Sequence, residues 1–246
     1  MKPEAATALD RYRATSDSSA DGEVVTRVEL VYRQLREALV NGEYPPGAPL
    51  RPDRLSRIYD VSLIPIREAL RKLEVERLVE ATPNKGVRVA PISMHDLVDV
   101  YATREMLEVE ALRRAWWRID EAAVEGLREL REAMVAANRA SEARLAYDLH
   151  RRVHFAIYEF SGSAWLLHLI DILWNHTERY RRMVARVATF LEEGEDLHGH
   201  VIEAIAVGDL DRAGQALGRD LRRTRDLIIA ASPSDLGLGA VRAGSR

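Results

Sequence analysis

Three residues, Asp60-Val61-Ser62, are all that separates two helix-like segments of this 246-residue chain. A connector that short holds two helices at a steep angle and fixes which of their faces can meet. The first segment starts near Pro52 and ends near Asp60. The second starts after Ser62, a good N-cap, and runs to about Glu76. Ile66, Ala69, Leu70 and Leu73 form its inner stripe. A third helix precedes the pair, from about Thr26 to Asn41, with Val28, Val31, Leu35 and Leu39 on one face. Thr26 and Glu29 read as its capping box, and Asn41-Gly42 as its end. Residues 78–82 and 87–90 read as strands. Pro83-Asn84-Lys85-Gly86 joins them, with Gly86 supplying the backbone freedom of the turn.

Three helices followed by a hairpin predict a winged helix-turn-helix, which lays its last helix in the major groove of DNA. On that reading Arg67 and Arg71, opposite the apolar stripe, reach base edges or phosphates. The Ser62 hydroxyl and the open N–H groups of that helix start suit a phosphate. Arg51, Arg54 and Arg57 decorate the preceding helix and its approach. Lys85, with Gly86 beside it, lies at the wing tip, placed for a minor groove or the backbone. Any one of these charges is equally at home as a solvated surface group; the whole arrangement is much less so.

Charge supports the reading weakly. The chain has a net charge of −3, but residues 24–90 hold 12 Lys and Arg against 9 Asp and Glu, a net of +3, which leaves −6 elsewhere. A modestly basic head on an acidic body fits a polyanion binder. The absence of cysteine excludes disulfides and thiolate metal sites. No apolar run reaches the roughly 18 residues of a membrane span. Residues 1–23 lack the apolar core of a signal peptide and read as a flexible segment, and residues 232–246 as a flexible tail. A cytoplasmic location follows.

Residues 91–231 show helix-period patterns throughout, and the fold expected overall is mostly α. Six helices are expected, at 93–118, 120–139, 142–161, 163–185, 187–207 and 209–231, with breaks at Gly162, Gly194 and Gly208-Asp209. Polar groups interrupt their apolar stripes. Arg104 falls on the stripe of Leu97, Val100, Tyr101, Leu107 and Ala111, so it must be paired or face a cavity. Two readings stay open: an internal bridge to Glu108 one turn on, or a fork onto a ligand carboxylate. His150 and His154, four apart, point two imidazoles the same way, as metal ligation requires. His198 opens the stripe of Val201, Ile202 and Ile205, and Asp220 lies between Leu217 and Leu221. These four can converge on a divalent ion, Zn²⁺, Ni²⁺ or Mn²⁺. Alternatively His150 and Asp220 form a hydrogen-bonded pair with no metal. Asp148 is a weaker spare carboxylate, and His176 either lines the same cavity or is an ordinary histidine. Trp116, Trp117 and Trp165 read as packing and dimer contacts.

The N-terminal segment resembles the GntR family of bacterial regulators. The match runs through Tyr32, Leu35, Gly42, Pro46-Gly47-Ala48-Pro49-Leu50 and Leu55-Ser56. It is densest over Val61-Ser62-Leu63-Ile64-Pro65-Ile66-Arg67-Glu68-Ala69-Leu70, and it continues to Gly86-Val87-Arg88-Val89. Leu63 departs from the family, which carries a DNA-contacting Arg there. Residues 93–231 resemble the FCD type of effector domain, that of the fatty-acid-regulator (FadR-type) branch. The match includes Asp96-Leu97, Tyr101, Arg104, Glu108, His154, Ser161-Gly162, His198 and Gly208-Asp209. The resemblance implies an antiparallel all-helical bundle and a homodimer on a near-palindromic double-stranded DNA operator. It also implies that Arg104 meets an effector carboxylate. Metal-binding relatives carry an aspartate four residues before the first histidine and two later histidines. Here His150 and Asp220 stand in exchanged positions, and the inventory of three imidazoles and one carboxylate is kept.

The expected function is therefore a regulator, not an enzyme, controlled by a small organic acid held at a metal and Arg104. A metal-dependent hydrolase carrying a DNA-binding module is the rival, although no general base or Gly-x-Ser-x-Gly motif accompanies the ligands. A DNA binder with no small-molecule effector is the third reading.

Overall fold

The computed structural model describes residues 26–82, 86–185 and 196–230. The expectations for residues 1–23 and 232–246, the break at Gly194 and the position of Lys85 lie outside them. Arg27–Val40 forms α1, Pro49–Leu50 β1, Pro52–Tyr59 α2, Leu63–Val75 α3, Val79–Thr82 β2 and Gly86–Val89 β3.

Thr26 caps α1, its Oγ1 accepting from Glu29 N at 3.2 Å. The Glu29 carboxylate does other work. It accepts from Arg33 Nε at 2.9 Å and from Lys72 Nζ at 3.0 Å, so it ties α1 to α3 rather than reaching back as in a full capping box. Ser62 takes the N-cap position of α3, but its side chain makes no capping bond, which corrects the expectation of an ordinary cap. Asp60 ends α2 in the left-handed region at φ 51, a conformation a short polar side chain tolerates. The Ser56 hydroxyl then donates to Val61 O at 2.5 Å and holds the turn. Val31, Leu35 and Leu39 of α1 and Leu55 of α2 meet Ile66, Ala69, Leu70 and Leu73 of α3 in one buried core, closed by Leu78, Val79 and Val89. Burial of each large side chain contributes about 1.5–3 kcal/mol.

The sheet holds one strand more than the two read from the sequence. β1 pairs antiparallel with β3, giving the order β1-β3-β2. Two residues, one a proline, carry no alternating pattern. The strand exists because Gly47 N donates to Val89 O and Val89 N to Ala48 O. Gly86 enters β3 at φ 77, where a side chain would be strained.

Beyond the wing, Met94–Ala115 forms α4, Glu121–Arg139 α5, Ala143–Tyr158 α6, Ala164–Ala185 α7, Leu197–Ala206 α8 and Leu210–Ala230 α9. The last turns of the helices expected at 93–118 and 142–161 tighten to 3-10 geometry over Trp116–Arg118 and Glu159–Ser161. Arg118 Nη1 donates to Phe160 O and Ser161 O, and fills the space beside Gly162 that a Cβ would need. Leu107 is only half-buried, whereas Glu108 is fully buried. No described helix is long and apolar enough to cross a membrane.

The described residues fall into two compact units. One comprises residues 101–170 and 196–224; the other comprises residues 26–100, 171–185 and 225–230. In the first, Leu130, Met134 and Ala137 of α5 pack on Ala146, Leu149 and Val153 of α6. Arg128 of α5 pairs with Glu203 of α8 at 3.0 Å. In the second, Arg179 Nη2 of α7 donates to the carbonyls of Ala90 and Pro91 at 2.7 and 3.1 Å. Nearby, Tyr180 OH accepts from Ser93 N at 3.2 Å, and His176 Nε2 meets Asp96 Oδ2 at 2.6 Å.

Candidate functional site

His150 and His154 come from the inner face of α6, beside buried Leu149, Val153 and Ile157. His198 is the second residue of α8, and Asp220 lies on α9 between buried Leu217 and Leu221. The start of α8 is held firmly. Asp196 Oδ1 caps it by accepting from Gly199 N at 3.0 Å, and the same carboxylate accepts from Arg131 of α5. A Cβ at Gly199 would lie 2.1 Å from Asp196 Oδ2, so glycine lets the cap close next to His198.

The four side chains each bring one donor atom to within 4.8 Å of all the others. His154 Nε2 lies 3.1 Å from His198 Nε2 and 3.4 Å from Asp220 Oδ2, and His198 Nε2 lies 3.8 Å from Asp220 Oδ2. The His150 ring sits 4.6 Å from that of His154 and 4.9 Å from that of His198, centroid to centroid. Donors bound about 2.0–2.2 Å from one ion stand about 3.0–3.6 Å apart, close to these separations. The set can therefore hold a divalent metal ion. All four donors are nitrogen or oxygen, which suits Zn²⁺, Ni²⁺ and Mn²⁺ alike.

A buried relay runs from this cluster to Arg104. Tyr158 OH donates to Glu108 Oε2 at 2.5 Å, and Arg104 Nε donates to Glu108 Oε1 at 2.6 Å. Arg104 therefore forms the internal bridge, 1% exposed against a carboxylate at 0%. Burial works against the Arg104 charge, but the adjacent Glu108 outweighs it and holds the guanidinium above its ordinary value. Burial, with the Glu108 charge behind it, pushes the Tyr158 phenol well up, so Tyr158 keeps its proton. That single proton goes to Glu108. The contact between Tyr158 OH and His154 Nδ1, at 2.9 Å, must then be donated by the imidazole. His154 is thus held as the Nδ1–H tautomer, and its Nε2 lone pair faces His198 and Asp220. A ligating histidine is usually oriented by such an outer partner. Tyr158 was not singled out from the sequence, although it lies one helical turn beyond His154.

The other histidines lie elsewhere. His176 pairs with Asp96 in the second compact unit, and His168 and Asp148 are exposed. Trp117 and Trp165 stand out into solvent, while Trp174 is buried.

In the N-terminal unit, Arg67 and Arg71 are exposed on α3 opposite its buried stripe, and Arg71 pairs with Glu68 at 2.8 Å. Arg51 and Arg54 border an open surface depression together with Asp53 and Arg57. Ser62 is exposed at the start of α3, and Gly86 at the start of β3.

A winged helix-turn-helix followed, among the described residues, by six helices is the build of a class of transcriptional regulators that bind DNA. The family model for bacterial regulatory proteins of the gntR family matches residues 27–89, and that for the FCD domain matches residues 99–223. The chain belongs to the GntR family and carries an FCD domain: it is a DNA-binding transcriptional regulator, not an enzyme. It is 30% identical over 201 residues to the HTH-type transcriptional repressor GlaR of Escherichia coli, covering 77% of this chain and 90% of that protein. It is 30% identical over 213 residues to the HTH-type transcriptional regulator BphR of Paraburkholderia xenovorans, covering 82% of this chain and 80% of that one. The solved structure of E. coli McbR/YncC shares the fold, with a TM-score of 0.73 at 21% identity over 84% of this chain and 98% of that one.

Proposed function

We propose that this regulator acts in the cytoplasm as a homodimer on a near-palindromic operator, and that it senses a small organic acid at a metal-containing site in its FCD domain. The observation that carries the sensory reading is the convergence of His150, His154, His198 and Asp220 from three helices. Those four residues would hold the ion, which supplies a positive charge for an anionic ligand. Arg104 is assigned to the effector carboxylate. Its Nε donates to Glu108, which holds the guanidinium in place beside the cluster. Glu108 and Tyr158 keep His154 in its ligating tautomer.

On the DNA side, Arg67 and Arg71 approach the major groove, and Ser62, Arg51 and Arg54 the phosphates. Lys85 and Gly86 form the wing contact. Effector binding changes operator affinity only in so far as the acid prefers one arrangement of the dimer over another.

His154→Ala tests the assignment. Elemental analysis of the purified variant is expected to show much less metal than wild type. Operator binding by the variant is expected to lose its response to candidate acids, with the circular dichroism of the chain retained. Unchanged metal content in His154→Ala would overturn the ligand set.

A further inference from the structure

The reading helix of this regulator begins in an unusual way. Its first turn, Leu63-Ile64-Pro65-Ile66, contains no charged side chain and no hydrogen-bonding one. Pro65 and Ile66 are buried in the core, Leu63 is half-buried, and Ile64 is 73% exposed. Helical spacing puts Ile64 on one line with Arg67, Glu68 and Arg71, opposite Ile66, Ala69, Leu70 and Leu73. Ile64 therefore leads the solvent-facing stripe. The Ser62 hydroxyl just before it makes no capping bond.

Single exposed apolar residues are common on protein surfaces and need no function. The position is what distinguishes Ile64. In a helix-turn-helix the N-terminal residues of the second helix approach base edges. Arginine, lysine, asparagine or glutamine there pairs with guanine or adenine, but this turn offers none of them. The apolar group exposed in the major groove is the 5-methyl of thymine. We propose that Ile64 is a specificity-determining residue that selects a thymine in each half-site by packing on its 5-methyl group. Arg67 and Arg71 carry the polar contacts further along the helix.

The test uses the full-length chain and a duplex selected by it from a randomised pool. Each thymine of the half-site is replaced singly by uracil, which lacks only the methyl, and affinity is measured by fluorescence anisotropy. For wild type, one thymine per half-site is expected to cost about fourfold in affinity when replaced, the effect of burying one methyl group. Ile64→Ala, whose side chain lies outside the core, removes the contact from both half-sites of the dimer's operator; it is expected to bind the thymine duplex about 15-fold more weakly and to be indifferent to that replacement. Equal uracil penalties in wild type and Ile64→Ala, or no sensitive thymine, would overturn the proposal while leaving the DNA-binding assignment standing. Failure to select any duplex would overturn both.

Discussion

At the scale of single residues, Tyr158 is the most informative side chain beside the His/Asp cluster. Its hydroxyl joins His154 to Glu108 with distances of 2.9 and 2.5 Å, in a place closed to water. Tyr158→Phe keeps the ring and removes the oxygen, so a buried imidazole N–H and a buried carboxylate oxygen each lose that partner. The expected cost is about 1–3 kcal/mol in urea unfolding of the metal-free chain. Metal affinity is expected to fall about 10–100-fold, since an outer partner that fixes a ligating histidine has that order of effect. Titration with Zn²⁺ reads the second number independently of the first. The histidines themselves were legible in the sequence because a separation of four residues places two imidazoles on one helical face. The pairing of Glu108 with Arg104 was legible for the same reason. The contact of Tyr158 with Glu108 was not, since it joins residues fifty apart on different helices.

At the scale of elements, two helix starts contrast. Thr26 caps α1 through its hydroxyl, whereas Ser62 occupies the same position on α3 without a capping bond. Thr26→Ala is expected to lower stability by about 1 kcal/mol. Ser62→Ala is expected to change stability by no more than about 0.5 kcal/mol, because no capping bond is lost. If the hydroxyl meets a phosphate, the ranking reverses in a gel shift: Ser62→Ala weakens operator binding, and Thr26→Ala leaves it near wild type. The boundaries of α1, α2 and α3 could be read from caps, glycines and apolar spacing. β1 could not, because a two-residue strand is created by its partner β3 and not by any pattern of its own. The 3-10 endings after α4 and α6 escaped for a related reason. Arg118 binding the Phe160 and Ser161 carbonyls is a tertiary event that local propensity does not record.

At the scale of the whole molecule, the mostly helical build and its two kinds of pattern were visible from periodicity. The compact units were less so. Residues 171–185 of α7 group with the N-terminal residues, and residues 101–170 with 196–224, so chain order and compactness part company within single helices. A metal ion held at the proposed site would stabilise the folded state alone, by about 2.7 kcal/mol when free ion is a hundredfold above its Kd. Chelation is expected to lower the thermal midpoint, and Zn²⁺, Ni²⁺ or Mn²⁺ to restore it. The same scan on His154→Ala should show no chelator shift. The make-up of the ligand set carries one more consequence. His150, His154, His198 and Asp220 contain no sulphur, and the sequence has no cysteine. Iodoacetamide and diamide thus find no thiol to attack, and operator affinity after either treatment should equal that of untreated protein. This regulator is deaf to thiol stress by construction.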